Sequence, residues 1–166
     1  MIPKLILKHC QDKYGKDLPL PEGVDLSLPK KEAWQKTEHD LQKAYFGWLM
    51  SLPAQYKDID VDQLRADLWL AHAIPNGGKR SISEAAAFVA EGVKSGIPDV
   101  FIPIPNESPG DFVAGLYIEF KKSGGKVSEG QRCFLNMLHE KGYRCFVIND
   151  LETAQNETMK YLELGW

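Results

Sequence analysis

The sequence predicts an α/β domain in which helices flank a mixed central sheet. Three observations carry that prediction. Apolar spacing switches along the chain between every second residue and every third or fourth, so strands and helices alternate. Two strand-like runs, Val100 to Ile104 and Leu116 to Lys121, stand on either side of a polar turn from Asn106 to Gly110. A helical segment then separates Glu119 from a further strand ending at Asn149, the arrangement of a right-handed parallel crossover. The predicted order is helix, strand, helix, strand, strand, helix, strand, helix.

At 166 residues the chain suits one domain with a sizeable core. We divide it into an N-terminal extension or arm, residues 1–36, and a principal domain, residues 37–166. A net charge of −3 gives no overall basic footprint, so any contact with nucleic acid has to come from a local patch or from metal ions. The three cysteines, Cys10, Cys133 and Cys145, are too few and too widely spaced for a disulfide framework or a CxxC zinc site, which fits a reducing compartment. Pro3 and Lys4 interrupt the apolar opening, and no apolar run approaches membrane-spanning length; a soluble, cytoplasmic protein is expected.

Taken in order, the arm carries Leu18-Pro19-Leu20-Pro21 and Leu28-Pro29, which favour extended chain. Thr37 then reads as an N-cap answered by Asp40. Leu41, Ala44, Tyr45, Trp48 and Leu52 follow at helical spacing up to Pro53. Glu38, Gln42 and Tyr45 form an adjacent row on that helix. Two readings of Glu38 stand: a metal-facing carboxylate, or a solvated acid favoured by the helix dipole. After a loop with a short helical turn from Val61 to Ala66, Leu68 to Ile74 reads as a buried strand ended by Pro75-Asn76-Gly77-Gly78. His72 within it is either a hydrogen-bonded structural residue or a ligand. Asn76 belongs to a turn whose backbone N–H groups could approach a phosphate, and Lys79 and Arg80 beside it are candidates for phosphate contact or ordinary surface charges.

Ser81 and Glu84 form a capping box for an alanine-rich helix ending near Lys94. Glu91 in its last turn either pairs with Lys94 or meets another cation. Beyond the central strand pair, Ser128 and Gln131 form another capping box. Gly142 ends that helix, Arg144 to Asn149 reads as a strand, and Asp150 caps a final helix.

The chemistry concentrates on Asp99, Glu119 and Lys121. The two-residue period of a strand puts Glu119 and Lys121 on one face and Phe120 on the other. Two carboxylates suit a hard divalent cation, and a lysine beside them can orient water or offset charge on a phosphate. Around this core stand Glu38, His72 to Arg80, Glu91 to Asp99, Leu116 to Lys121 and Ser128 to Gln131. The ordered set, spanning residues 38 to 165, resembles the VRR-NUC branch of the PD-(D/E)xK nuclease superfamily.

That resemblance implies a restriction-endonuclease-like fold and a DNA endonuclease using Mg²⁺ or Mn²⁺. It implies metal ligation by Asp99, Glu119, Glu38 and the Phe120 carbonyl. Lys121 would handle the attacking water, Gln131 would reach the metal or DNA, and Glu91 would lie beside the site. Stand-alone VRR-NUC proteins resemble Holliday-junction resolvases, which implies branched DNA as substrate and a homodimer. Alternatives are a monomeric flap-type nuclease, a catalytically silent DNA-binding module of the same fold, and a phosphoesterase acting on small molecules. The presence of all three central residues argues against the silent module; the lack of a Walker loop argues against a nucleotide enzyme.

Overall fold

A computed structural model describes residues 2–21, 37–56, 59–75, 82–108 and 111–164. The elements are α1 (Lys4–Tyr14), α2 (Glu38–Ser51), a 3₁₀ turn (Leu52–Ala54), α3 (Val61–Trp69), β1 (His72–Ala73), α4 (Ile82–Ala90), β2 (Val100–Ile102), β3 (Asn106–Ser108), β4 (Asp111–Val113), β5 (Leu116–Phe120), α5 (Glu129–Glu140), β6 (Arg144–Ile148) and α6 (Leu151–Tyr161). Four strands form a mixed sheet in the order β1-β2-β5-β6. The first three run antiparallel, and β5 and β6 pair in parallel with Glu119 opposite Val147.

Helices cover both faces, as the alternating pattern requires. On one face, Leu41, Tyr45 and Leu49 of α2 and Ala154 and Met159 of α6 join Val100, Ile102, Leu116, Ile118 and Phe120 in the main core. On the other, Leu135 of α5 packs with Cys145 and Val147. Both capping boxes at described positions form. Thr37 accepts from the Asp40 N–H and Ser128 from the Gln131 N–H, with each N3 side chain answering the cap backbone. Asp150 caps α6 through the Thr153 N–H at 2.8 Å. The Ser81 cap lies outside the described residues.

In the arm, residues 4–14, for which the sequence offers no defined element, form a helix: Leu7, Cys10 and Tyr14 recur on one helix face and pack with Leu18, Cys133 and Met137. Three local expectations need correction. Leu68 and Trp69 belong to α3, capped by Asp60, and only His72 and Ala73 remain as strand. The turn between the central strands contains its own hairpin, β3 with β4, and β2 stops at Ile102. Most consequentially, Cys10 and Cys133 form a disulfide, with Cα atoms 5.8 Å apart. Their 123-residue separation in sequence was no guide to distance, because α1 lies along α5.

Candidate active site

The site assembles at one end of the β2–β5 pair. Val100 pairs with Ile118, so Asp99, immediately before β2, stands beside Glu119. The Phe120 N–H donates to Asp99 Oδ2 at 2.8 Å, fixing that carboxylate against the neighbouring strand. Phe120's ring turns to the opposite face and meets Tyr45 at 5.5 Å between centroids. The alternation read from sequence therefore holds: Glu119 and Lys121 share the site face. Lys121 Nζ donates to Glu119 Oε1 at 2.5 Å.

Gln131 reaches the same oxygen. Its Nε2 donates to Glu119 Oε1 at 2.5 Å while its Oε1 accepts from the Ser128 N–H at 2.9 Å. The capping reading is realised by one end of the amide, and the other end meets the Glu119 carboxylate. Glu38 comes in from the first turn of α2 and accepts from the Lys122 N–H at 2.9 Å. Gln42, one turn further along the same row, points its amide at the Asp99 carbonyl at 3.5 Å.

The electrostatics of the cluster would favour a positive charge beside the carboxylates. Glu119 is only 2% exposed, and its Oε2 is buried with no hydrogen-bond partner among the described residues. Burial, and then the charge of Asp99, push its pKa up to about 8, with Lys121 opposing and Glu38 adding to the rise. Asp99 is raised too, chiefly by burial; the Phe120 N–H and Lys121 pull it back, and Glu38 pushes it up. Carboxylates that repel one another and lack solvation are relieved by a positive charge. Among the described residues no three His, Cys, Asp or Glu side chains are gathered as a metal cluster. Asp99 and Glu119 stand side by side, while Glu38 is engaged by the Lys122 N–H.

The outer candidates divide. His72 is exposed on edge strand β1, with Nδ1 2.8 Å from the Leu70 carbonyl oxygen and its ring edge-on to Phe101. His72 is thus hydrogen-bonded to backbone, and two residues on the Ile74 N–H donates to the Asp99 carbonyl. Glu91 is exposed in the turn after α4, and no described contact joins it to the carboxylates. Asn76, Lys79 and Arg80 lie outside the described residues.

Two contacts at the site lacked a local sequence signal. Gly96, at φ +95°, lies so close to α5 that an added Cβ would sit 2.9 Å from the Gly130 carbonyl carbon. The loop carrying Asp99 is thereby seated on the helix carrying Gln131. Ile2, at the start of the arm, lies against Gly130 from another side. A separate cavity of about 260 Å³, lined by Arg144, Lys160 and Tyr161 among others, opens beside the start of β6, at the opposite end of the sheet.

Comparison with known proteins bears on the family and the fold. The VRR-NUC domain model matches residues 36–150. A solved VRR_NUC domain protein is similar at a TM-score of 0.60 and 24% identity, over 81% of this chain and 93% of that one. At that identity the likeness speaks for the fold. The chain matches no curated protein.

Proposed function

Because the chain belongs to the VRR-NUC domain family, we propose that it is a metal-dependent endonuclease hydrolysing phosphodiester bonds in DNA. The observation that carries the proposal is the Asp99, Glu119 and Lys121 cluster, with a buried carboxylate oxygen of Glu119 that has no partner among the described residues. The pairing of Pro98-Asp99 with Glu119-x-Lys121 on adjacent strands also supports a PD-(D/E)xK core of the restriction-endonuclease kind.

The residues fit Mg²⁺ or Mn²⁺. Both carboxylates offer hard oxygen donors, and Mg²⁺ is commonly held by one or two carboxylates with water completing its shell. Asp99 and Glu119 would hold the ion, with Glu38 and the Phe120 carbonyl as further oxygen donors. When bound, such a cation lowers the pKa of water and offsets charge on the phosphate. Asp99 contributes an orientation set by the Phe120 N–H. With a cation held there, Glu119 would be favoured in its charged form, and Lys121 beside it would position the attacking water or steady the phosphate oxygen gaining charge. Gln131 keeps Glu119 in one rotamer through its amide, and the N-terminus of α5 presents a favourable potential to phosphate.

For the substrate we propose branched DNA, four-way junctions included, cut by a two-fold homodimer that presents two centres symmetrically. A monomeric flap-type nuclease is the second reading. A silent DNA-binding module would have no need for a lysine held on a buried carboxylate. Labelled flap, fork, junction and linear DNA, each with Mg²⁺ or Mn²⁺, test these readings together with light scattering. Cutting of junctions by a dimer supports the resolvase form; a monomer, free and DNA-bound, refutes it; and uncut DNA on every substrate refutes the nuclease.

A further inference from the structure

The arm ahead of the family match is joined to the site through α5. Cys10 of α1 is bonded to Cys133 of α5, two residues beyond Gln131, and both cysteines are fully buried. Three further contacts run alongside. Ile2 lies against Gly130; the Arg132 guanidinium donates to the Leu18 carbonyl at 3.2 Å; and the Asn136 amide donates to the Pro19 carbonyl at 2.8 Å. The Gly130 backbone seats the loop leading to Asp99, and Gln131 holds Glu119. One helical turn therefore touches the arm on one side and, on the other, the loop leading to Asp99 and the strand bearing Glu119.

We propose that residues 2–20 form a redox-controlled clamp on the first turns of α5, and that the Cys10–Cys133 disulfide keeps Gln131 positioned toward Glu119. Cys10 and Cys133 are positioning residues. They touch no reacting atom and act through the backbone of α5. A small dithiol or a thioredoxin-type protein dithiol would open the clamp. Its thiolate attacks one cysteine sulfur and releases the other as a thiol. The second reductant thiol then resolves the mixed disulfide, so the protein gains two thiols as the reductant becomes a disulfide. With the covalent link gone, the described contacts that still hold the arm are its apolar packing, the Leu18 and Pro19 carbonyl bonds and the Lys13 and Tyr14 bonds to Glu140. The first turn of α5 then opens more often.

The consequence for catalysis rests on the nuclease reading above; the clamp itself does not. The test therefore uses two independent readouts on the full chain, oxidised and dithiothreitol-reduced, alongside Cys10→Ser and Cys10→Ala. Alkylation after unfolding should label one cysteine, Cys145, in the oxidised protein and three in the reduced one. Amide exchange at Gln131 to Phe134 should quicken about tenfold on reduction and in both variants, with the centre of β5 unchanged. With DNA and Mg²⁺, kcat should fall about tenfold while KM stays near its oxidised value, and the variants should no longer respond to dithiothreitol. Three labelled cysteines in protein treated with a mild oxidant, or unaltered exchange at Gln131 to Phe134 on reduction, would overturn the proposal. Altered exchange with equal kcat would overturn its link to catalysis. Altered exchange with no cutting in any form would uphold the clamp and refute the nuclease reading.

Discussion

Gln131 donates its side-chain amide to Glu119 Oε1 while its carbonyl oxygen closes the capping box on the Ser128 N–H, so one side chain joins the start of α5 to the buried carboxylate of β5. Its two duties can be separated by mutation. Ser128→Ala removes the cap alone and should cost about 1 kcal/mol of stability, with cutting reduced only slightly. Gln131→Ala removes the cap contact and the hold on Glu119. It should lose a similar amount of stability and, in addition, about tenfold or more in kcat. Chemical denaturation beside single-turnover cleavage checks the pair, and equal kcat losses in the two variants would show that Gln131 acts only as a cap.

The raised pKa of Glu119 makes the metal-free protein pH-sensitive in a defined direction. Its folded value, about 8, lies above the ordinary 4.5, so its contribution to stability is full below about 4.5 and is lost as pH rises through about 8. Asp99 is shifted the same way. In EDTA, stability should therefore decline across that window by an amount on the order of a few kcal/mol. Glu119→Gln should flatten the decline, because the neutral amide has no proton to lose. Mg²⁺ should also suppress it in the native protein by favouring the charged carboxylates. Thermal melts from pH 5 to pH 9 with and without Mg²⁺ provide the measurement; a native protein that gains stability with pH in EDTA would contradict the electrostatic account.

Gly96 and Gly47 make opposite predictions from the same substitution. Gly96→Ala places a Cβ 2.9 Å from the Gly130 carbonyl carbon on a backbone at φ +95°, and should cost about 2–4 kcal/mol while displacing the Asp99 loop. Gly47 sits inside α2 with nothing within 4 Å of an added Cβ. Gly47→Ala should stabilise the protein by about 0.5–1 kcal/mol and leave cutting unchanged. Urea denaturation of the two variants beside the native chain reads both effects.

What was legible in the sequence was what depends on near neighbours. The Thr37–Asp40 and Ser128–Gln131 boxes are three-residue relationships, and both formed. The alternation at Glu119, Phe120 and Lys121 is a two-residue one, and it placed Lys121 on Glu119. The row of Glu38, Gln42 and Tyr45 likewise delivered Glu38 beside the strand end and Gln42 to the Asp99 carbonyl. Misreadings came where composition outweighed spacing. Ahead of the prolines the arm showed no defined element, although Leu7, Cys10 and Tyr14 carry helical spacing. The apolar run Leu68-Trp69-Leu70 looked like a buried strand, yet Trp69 is 80% exposed at the end of α3 and only Leu68 is in the core. The disulfide and the seat of Gly96 on Gly130 unite distant segments, and no local pattern encodes them.

The central claim is that Asp99, Glu119 and Lys121 form a phosphodiester-cleaving centre, and the most direct measurement is endonuclease activity of the purified chain with Mg²⁺ beside Asp99→Ala and Lys121→Ala prepared identically. Circular dichroism should show all three proteins folded. The native chain should cut branched DNA, and each variant should fall by at least about a hundredfold, which also excludes a contaminating nuclease. Equal cutting by native protein and folded variants, or none by the native protein, would contradict the account.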